Sequence, residues 1–183
     1  MLRSEPCRKP CHFVVPALEQ EEINDVTGMC RLIHGRHNSL DPTQRYRIPY
    51  AFRYGNTVRF NPRNGELMLG EGLGLTCSTF VLAVFESARL PLVEFSGWPI
   101  REGDEDRHRS LLEKMKAGIP AAQIPPAPPE HISRVEAELP CVRVRPEEVA
   151  ATGMLDDFPF TFVQLEPVGH WIMEHLADSP PPA

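Results

Sequence analysis

Residues 74–88 read Gly-Leu-Thr-Cys-Ser-Thr-Phe-Val-Leu-Ala-Val-Phe-Glu-Ser-Ala. Apolar residues recur in this stretch at three-to-four spacing, which predicts a buried helix. The positions that form this stripe are Phe80, Val81, Val84, Phe85 and Ala88. Thr76 precedes the run and carries a hydroxyl of the kind that caps a helix N-terminus. The sequence therefore places Cys77 in the first turn of a helix on which the rest of the chain is expected to pack.

The segments before this helix favour strands. Residues 12–16 are apolar and partly β-branched, and residues 46–54 alternate loosely between apolar and polar side chains. A hairpin is expected around residues 61–65, because the Asn64-Gly65 pair supplies the positive φ that a tight reversal needs. Residues 24–34 are predicted to form a helix between these strands.

The segments after the Cys77 helix favour helices. Helical patterns cover residues 104–117, 130–139 and 146–152, and a proline at 146 suits a first helical position. Residues 158–165 are predicted to form a final strand. Strands that cluster before Cys77 and helices that follow it indicate an α+β fold. We expect one globular domain over residues 1–178, followed by a proline-rich tail at 179–183.

Composition limits the classes of partner. A formal net charge of -6 argues against broad attraction to nucleic acid or anionic lipid, since both favour clustered Lys and Arg. No apolar run approaches the roughly 20 residues that span a bilayer, and the first residues lack the apolar core of a signal peptide. Five unevenly spaced cysteines do not suggest a disulfide framework. We therefore expect reduced thiols, a cytoplasmic location, no membrane span and no nucleic-acid partner.

The position of Cys77 is suited to nucleophilic chemistry. A first-turn cysteine faces unpaired backbone N–H groups and the positive end of the helix dipole, and both favour a thiolate. Glycines at 70, 72 and 74 are expected to let backbone donors approach a bound carbonyl. The Cys77 N–H is then a candidate donor to the oxyanion that forms when a thiolate attacks that carbonyl.

The stretch Cys77-Ser-Thr-Phe-Val81 resembles the start of the central helix in the NlpC/P60 superfamily of papain-like cysteine hydrolases. The order of elements, with strands before the cysteine helix, is similar to that of the circularly permuted branch of this superfamily. In that branch a histidine followed by an apolar strand comes first. His12, followed by residues 13–15, matches that histidine. The resemblance implies a papain-like fold, with an antiparallel sheet packed on a central cysteine-bearing helix and extra C-terminal helices. It also implies that His12 is the general base to Cys77.

The activity implied by this resemblance is a thiol-dependent hydrolase or transferase that acts on an amide or ester bond and needs no cofactor. The substrate is not specified. The residue that would orient the imidazole is also open, with Glu66, His34 and His37 as candidates. His131 and His170 are the alternative bases if the chain follows the unpermuted order of the family.

A second hypothesis is a non-catalytic binding module, in which Cys77 is a small buried residue and His12 a satisfied histidine near a strand end. Such a module could hold a structural zinc ion, because soft and borderline ligands are gathered in the N-terminal part of the chain. These ligands are Cys7, Cys11, His12, Cys30, His34 and His37. Two further predictions concern the middle of the chain. Residues 101–109 are expected to be a solvated loop that leads into a helix. Trp98 is expected to line a cleft.

Overall fold

The computed structural model describes residues 14–40, 48–54, 58–70, 74–118 and 126–178. Within these ranges the chain forms helices and one two-stranded antiparallel sheet. In chain order the elements are α1 Gln20–Ser39, β1 Arg59–Phe60, β2 Leu67–Met68, α2 Cys77–Ser87, α3 Asp104–Ala117, α4 Pro129–Ala137, α5 Pro146–Thr152 and α6 Phe162–Asp178. The mixture agrees with the predicted α+β class, although the sheet is much smaller than expected. None of the helices in these ranges is long and apolar enough to cross a membrane.

Helix α2 begins where its sequence predicts. Thr76 is the N-cap: its hydroxyl oxygen accepts a hydrogen bond from the Thr79 N–H at 3.2 Å, and its own N–H donates to Thr79 Oγ1 at 2.8 Å. This reciprocal pair satisfies backbone and side-chain groups that a helix start would otherwise leave unpaired. The prediction that Cys77 opens this helix is confirmed.

Helix α2 lies between two hydrophobic cores, and this explains which of its residues are buried. Ala83 and Val84 belong to one core, with α1 and the hairpin, whereas Leu82 belongs to another, with α5 and α6. Val81, predicted to be part of the buried stripe, is exposed. The two phenylalanines of the stripe are only partly buried against the cores. The spacing of the apolar residues predicts one buried face, whereas contact with two cores buries residues on more than one side of the helix.

The predicted hairpin is confirmed. Strands β1 and β2 pair antiparallel, with Arg59 opposite Met68 and Phe60 opposite Leu67. Gly65 in the reversal has φ +67°, and a Cβ at this position would come within 2.6 Å of the backbone of α1. Only glycine therefore fits both the conformation and the space. The Phe60 N–H donates to the Ser87 hydroxyl at 2.7 Å, which attaches the hairpin to the last turn of α2.

The other strand predictions are wrong where the structure describes them. Residues 14–16 and 48–54 are not in strands, and residues 158–165 contribute one isolated parallel bridge between Phe160 and Val93 before α6 begins. The apolar residues of that last segment are buried all the same, in the core that also contains Leu82. A short apolar run shows that a segment is buried but does not distinguish a helix from a strand, because both can contain such a run. Residues 12–13, 46–47 and 179–183 lie outside the described ranges.

The three helices predicted after α2 are confirmed. α3 covers residues 104–117 and α5 covers residues 146–152, with Pro146 in the first turn, as expected. α4 starts with Pro129 and ends at Ala137, close to the predicted 130–139. Helices α3 and α4 pack on residues 48–54 to form a third core, which contains Phe52, Leu112, Val135 and Cys141.

An ionic cluster at the start of α3 is buried, so the expectation of a solvated loop over residues 101–109 is wrong. Asp104 is fully buried, and its carboxylate accepts hydrogen bonds from Arg101 at 3.1 Å and from Arg145 at 3.0 Å. Arg143 approaches the same carboxylate at 3.4 Å. Arg101 also pairs with Glu148 of α5. This cluster joins α3 to the segment that leads into α5.

Candidate active site

The Cys77 thiol lies at the first residue of α2 and is exposed. Its placement excludes the alternative in which Cys77 is a small buried core residue. The Thr79 N–H is used by the cap, whereas the N–H groups of Cys77 and Ser78 have no hydrogen-bond acceptor within the described ranges. These N–H groups and the helix dipole stabilise negative charge near the sulfur. Solvent access and a local positive potential therefore coincide at this thiol.

Residues 48–52 run directly against the approach to α2. The Leu75 N–H donates to the Pro49 carbonyl at 2.8 Å, and a Cβ on Gly74 would lie 2.8 Å from the backbone nitrogen of Ala51. Gly74 thus admits the backbone of the chain itself, rather than a bound carbonyl as the sequence suggested. The contact holds Tyr50 beside the beginning of the Cys77 helix.

The Tyr50 phenol is electrostatically coupled to Cys77. Burial raises the pKa of Tyr50, the Cys77 thiolate charge raises it further, and Arg143 and Arg107 partly oppose the shift. The phenol consequently keeps its proton at neutral pH. A protonated phenol is a hydrogen-bond donor of the kind that can stabilise a thiolate or an oxyanion.

The imidazole of His131 is hydrogen-bonded to the segment of residues 48–52. It is half-buried in α4, and its Nε2 lies 2.9 Å from the carbonyl oxygen of Tyr50. Since a carbonyl can only accept, Nε2 carries the hydrogen, and Nδ1 is left with the lone pair that could take a proton. A local hydrogen bond was expected for His131, but its partner lies 81 residues earlier in the chain.

The remaining predicted residues do not complete the site. His12, the base implied by the resemblance, lies outside the described ranges, and His170 is exposed on α6. His34 is engaged with Asn38, at 2.9 Å, and Glu66 with Arg36, also at 2.9 Å. The structure thus gives neither Glu66 nor His34 a contact that would orient an imidazole.

The zinc hypothesis can be compared with the structure only in part. Cys30 and His34 lie one turn apart on α1, but Cys7, Cys11 and His12 are outside the described residues. Across the described ranges, no group of three or more His, Cys, Asp or Glu side chains is arranged to hold a metal ion. A zinc site that uses the first 13 residues stays a prediction.

A thiol and an imidazole are in contact at a place that the sequence did not predict. Cys141 Sγ lies 3.9 Å from His108 Nδ1, and the imidazole stacks on Phe52 with ring centroids 4.4 Å apart. Burial, together with the charge of Glu138, raises the pKa of Cys141 to about 11. Burial also lowers the pKa of His108, and Arg143 acts in the same direction. Both partners are therefore neutral near pH 7, which makes this pair a poor nucleophile as it stands.

The sequence did contain a signal for this pair. Asp104, His108 and Leu112 follow one another at four-residue spacing, and all three are buried on one face of α3. Such spacing marks a helix face, even where its residues are polar. Cys141 also lines a cavity of about 420 Å³, with Arg53, Tyr54 and Glu138 among the other lining residues.

Trp98 does not line a cleft as predicted. It is buried in the core, where its ring lies 5.3 Å from that of Phe95 and 5.6 Å from that of Phe162. Its role is packing.

Comparisons of this chain with models of protein families, with curated proteins and with solved structures found no match.

Proposed function

We propose that this protein is a thiol-dependent hydrolase or transferase that acts on an amide or ester carbonyl, with Cys77 as the nucleophile. The observation that supports it most directly is the exposed thiol at the first residue of the capped helix α2. Its resemblance to the NlpC/P60 superfamily points to the same nucleophile. The proposal includes the finer expectation of a papain-like arrangement, in which α2 packs against an antiparallel sheet.

The reaction would proceed in two steps. The Cys77 thiolate attacks the carbonyl carbon, and the resulting oxyanion is stabilised by the N–H groups of Cys77 and Ser78 and by the Tyr50 hydroxyl. The imidazole that removed the thiol proton returns it to the leaving amine or alcohol, which leaves a thioester on Cys77. Water then completes a hydrolysis, or a second nucleophile completes a transfer.

Two histidines are candidates for the general base. His12 is the base that the resemblance implies. His131 is favoured by one specific observation, since the Tyr50 carbonyl fixes its Nε2–H tautomer and leaves Nδ1 able to accept a proton. The two assignments predict different results when each histidine is removed.

The test is the rate of Cys77 alkylation by iodoacetamide at pH 6.5, followed by mass spectrometry of the peptide that contains Cys77. We expect the native protein to react about tenfold faster than a free cysteine derivative, because an imidazole partner keeps more of the sulfur as thiolate. Either His12→Ala or His131→Ala should return the rate to that of the free derivative. His170→Ala, which removes an exposed histidine of α6, is the control and should leave the rate unchanged.

A native rate equal to that of the free derivative would contradict the proposal. So would an enhanced rate that neither His12→Ala nor His131→Ala reduces, because the activation would then have no imidazole partner.

A further inference from the structure

The cavity lined by Cys141 lies where two of the hydrophobic cores meet. Phe95 on its lining packs with the core that includes α5 and α6, and Cys141 belongs to the third core. The volume of about 420 Å³ falls within the range of about 300–1,000 Å³ that is usual for small-molecule sites. Cys77 is not among the lining residues. The cavity is therefore separate from the thiol of the proposed function.

Part of the lining is apolar and aromatic. The rings of Tyr54 and Phe95 both line the cavity, and their centroids lie 5.2 Å apart. Ile100 and Val142 add aliphatic surface. Aromatic side chains bury a large apolar area and favour offset or edge contacts with a further ring. This part of the cavity is suited to the aromatic group of a ligand.

The polar part of the lining contains a carboxylate without a partner. Glu138 lines the cavity from the end of α4, where it is the C-cap residue. Its Oε2 atom is buried and accepts no hydrogen bond within the described ranges. A buried acceptor that lacks a donor is unfavourable, and more so when it is charged. Because the terminal torsion of a glutamate is broad, rotation of the carboxylate can turn either oxygen towards a donor in the cavity.

A guanidinium group lines the same cavity. Arg53 is exposed, and its side chain forms no hydrogen bond or ion pair within the part of the chain that the structure describes. Burial raises the pKa of Glu138, and the positive charges of Arg53 and His131 partly oppose this shift. The carboxylate and the guanidinium of this cavity thus interact without pairing directly. Both groups are available to a ligand.

We propose that this cavity binds a small zwitterion of the amino-acid type, with its ammonium group at Glu138 and its carboxylate at Arg53. Its side chain is aromatic and packs on Tyr54 and Phe95. An ammonium donates charge-assisted hydrogen bonds to a carboxylate, and a guanidinium binds a carboxylate through paired N–H groups. A zwitterion satisfies both protein groups at once, whereas a ligand with a single charge leaves one of them unpaired.

The test measures binding of L-phenylalanine to the full-length protein by saturation-transfer NMR. We expect a dissociation constant of about 1 mM or lower. N-acetyl-L-phenylalanine lacks the ammonium group and should bind about tenfold more weakly, as expected for the loss of a charge-assisted hydrogen bond. Phenethylamine lacks the carboxylate and should bind about threefold more weakly, because water screens the exposed guanidinium of Arg53.

Variants locate the two charges. Glu138→Gln keeps the shape of the side chain and should weaken the binding of L-phenylalanine about tenfold, and Arg53→Gln should weaken it about threefold. Glu130→Gln and Arg134→Gln, at exposed positions of α4, are the matched controls and should leave the dissociation constant unchanged. Neither Glu138 nor Arg53 makes a side-chain hydrogen bond within the described ranges, so their replacement breaks no such contact of the fold.

Cys141 reports occupancy of the cavity, because it is part of the lining. At ten times the dissociation constant, L-phenylalanine should slow the labelling of Cys141 by iodoacetamide about tenfold, since only unliganded protein reacts. The labelling of Cys77, measured by mass spectrometry in the same sample, should not change. Slower labelling of Cys77 instead would place the ligand at the other thiol and would overturn the inference.

Absence of L-phenylalanine binding up to about 10 mM would also overturn the inference. So would binding that either Glu138→Gln or Arg53→Gln leaves unchanged, or a derivative that binds as tightly as L-phenylalanine itself. None of these results requires an activated Cys77. The inference and the proposed function can therefore fail separately.

Discussion

Cys77 and Cys141 are two free thiols in different surroundings. Cys77 is exposed at the start of an apolar helix whose first turn is capped by Thr76, and the segment that carries Tyr50 is bonded to Leu75, two residues before the thiol. Cys141 is buried between α3 and α4, in contact with an imidazole and close to a buried ionic cluster. The thiol with the directly observed histidine contact is thus the less accessible of the two.

This difference shows that contact with an imidazole is not enough to make a reactive cysteine. Burial penalises the charged forms of both partners, so the pKa of Cys141 rises to about 11 while that of His108 falls. A proton transfer from the thiol to the imidazole would create two charges inside a hydrophobic core, which is unfavourable. Cys77, by contrast, is exposed at the start of α2. The following predictions test this contrast.

The largest effect is expected from breaking the ionic cluster at the start of α3. Asp104→Asn keeps the shape of the side chain but leaves three arginines without their shared carboxylate. We expect the free energy of unfolding to fall by about 3–5 kcal/mol, as is usual when one partner of a buried ion pair is removed. Urea unfolding followed by circular dichroism measures the change. Asp106→Asn, at an exposed position of the same helix, should cost no more than about 0.5 kcal/mol, and equal costs for the two variants would contradict the buried placement of Asp104.

The next effect concerns the two thiols directly. With a pKa of about 11 instead of the ordinary 9.0, Cys141 has a thiolate fraction about 100-fold lower than an unperturbed cysteine at pH 8. We therefore expect a short iodoacetamide pulse at pH 8 to label Cys77 at least about 100-fold faster than Cys141 in the native protein. Mass spectrometry of the two cysteine peptides gives both rates in one sample. In 8 M urea the two rates should become similar, and similar rates without urea would show that Cys141 is accessible.

A smaller effect is expected at the beginning of α2. Thr76→Ala removes the hydroxyl that accepts the Thr79 N–H and should lower the free energy of unfolding by about 1 kcal/mol. Ser133→Ala, which removes an exposed hydroxyl bonded to a carbonyl of its own helix, is the control and should be close to neutral. The labelling of Cys141 should not change in Thr76→Ala, since its surroundings are built from other elements. A neutral Thr76→Ala variant would argue against this cap.

The smallest effect is the pH dependence contributed by His108. Burial lowers the pKa of His108 in the folded state below its ordinary 6.5, so the unfolded chain takes up the proton first as the pH falls. The contribution of His108 to stability is therefore complete above about pH 6.5 and declines below it. His108→Phe retains a ring against Phe52 and removes the titration. The difference in urea midpoint between pH 7.5 and pH 5 should be smaller in this variant than in the native protein, and an unchanged difference would show that His108 does not contribute.

Several features of the molecule could be predicted from short stretches of sequence. The Asn64-Gly65 reversal, the Thr76 cap and the bounds of α3 and α5 all depend on interactions between residues a few positions apart. Cys77 was identified for the same reason, because its place at a helix start follows from the residues on either side of it. Local backbone conformation and capping explain all of these successes.

The failures have a different physical origin. Residues 158–165 were assigned to a strand because an apolar run shows that a segment is buried but not in which conformation. The charges in residues 101–109 were interpreted as solvated because their partners, Arg143, Arg145 and Glu148, come about 40 residues later. Nothing near these residues in the chain shows that the partners exist.

The sequence by itself therefore determined where α2, α3 and α5 begin, where the hairpin reverses, and which cysteine opens α2. Only the tertiary structure decided that His131 bonds to the Tyr50 carbonyl, that Cys141 is buried against His108, and that Cys77 is in contact with solvent. The physical reason is that capping and turn energies act over a few residues. Burial and ion pairing depend instead on which distant segments meet in three dimensions, and these contacts decide the charge state of each group.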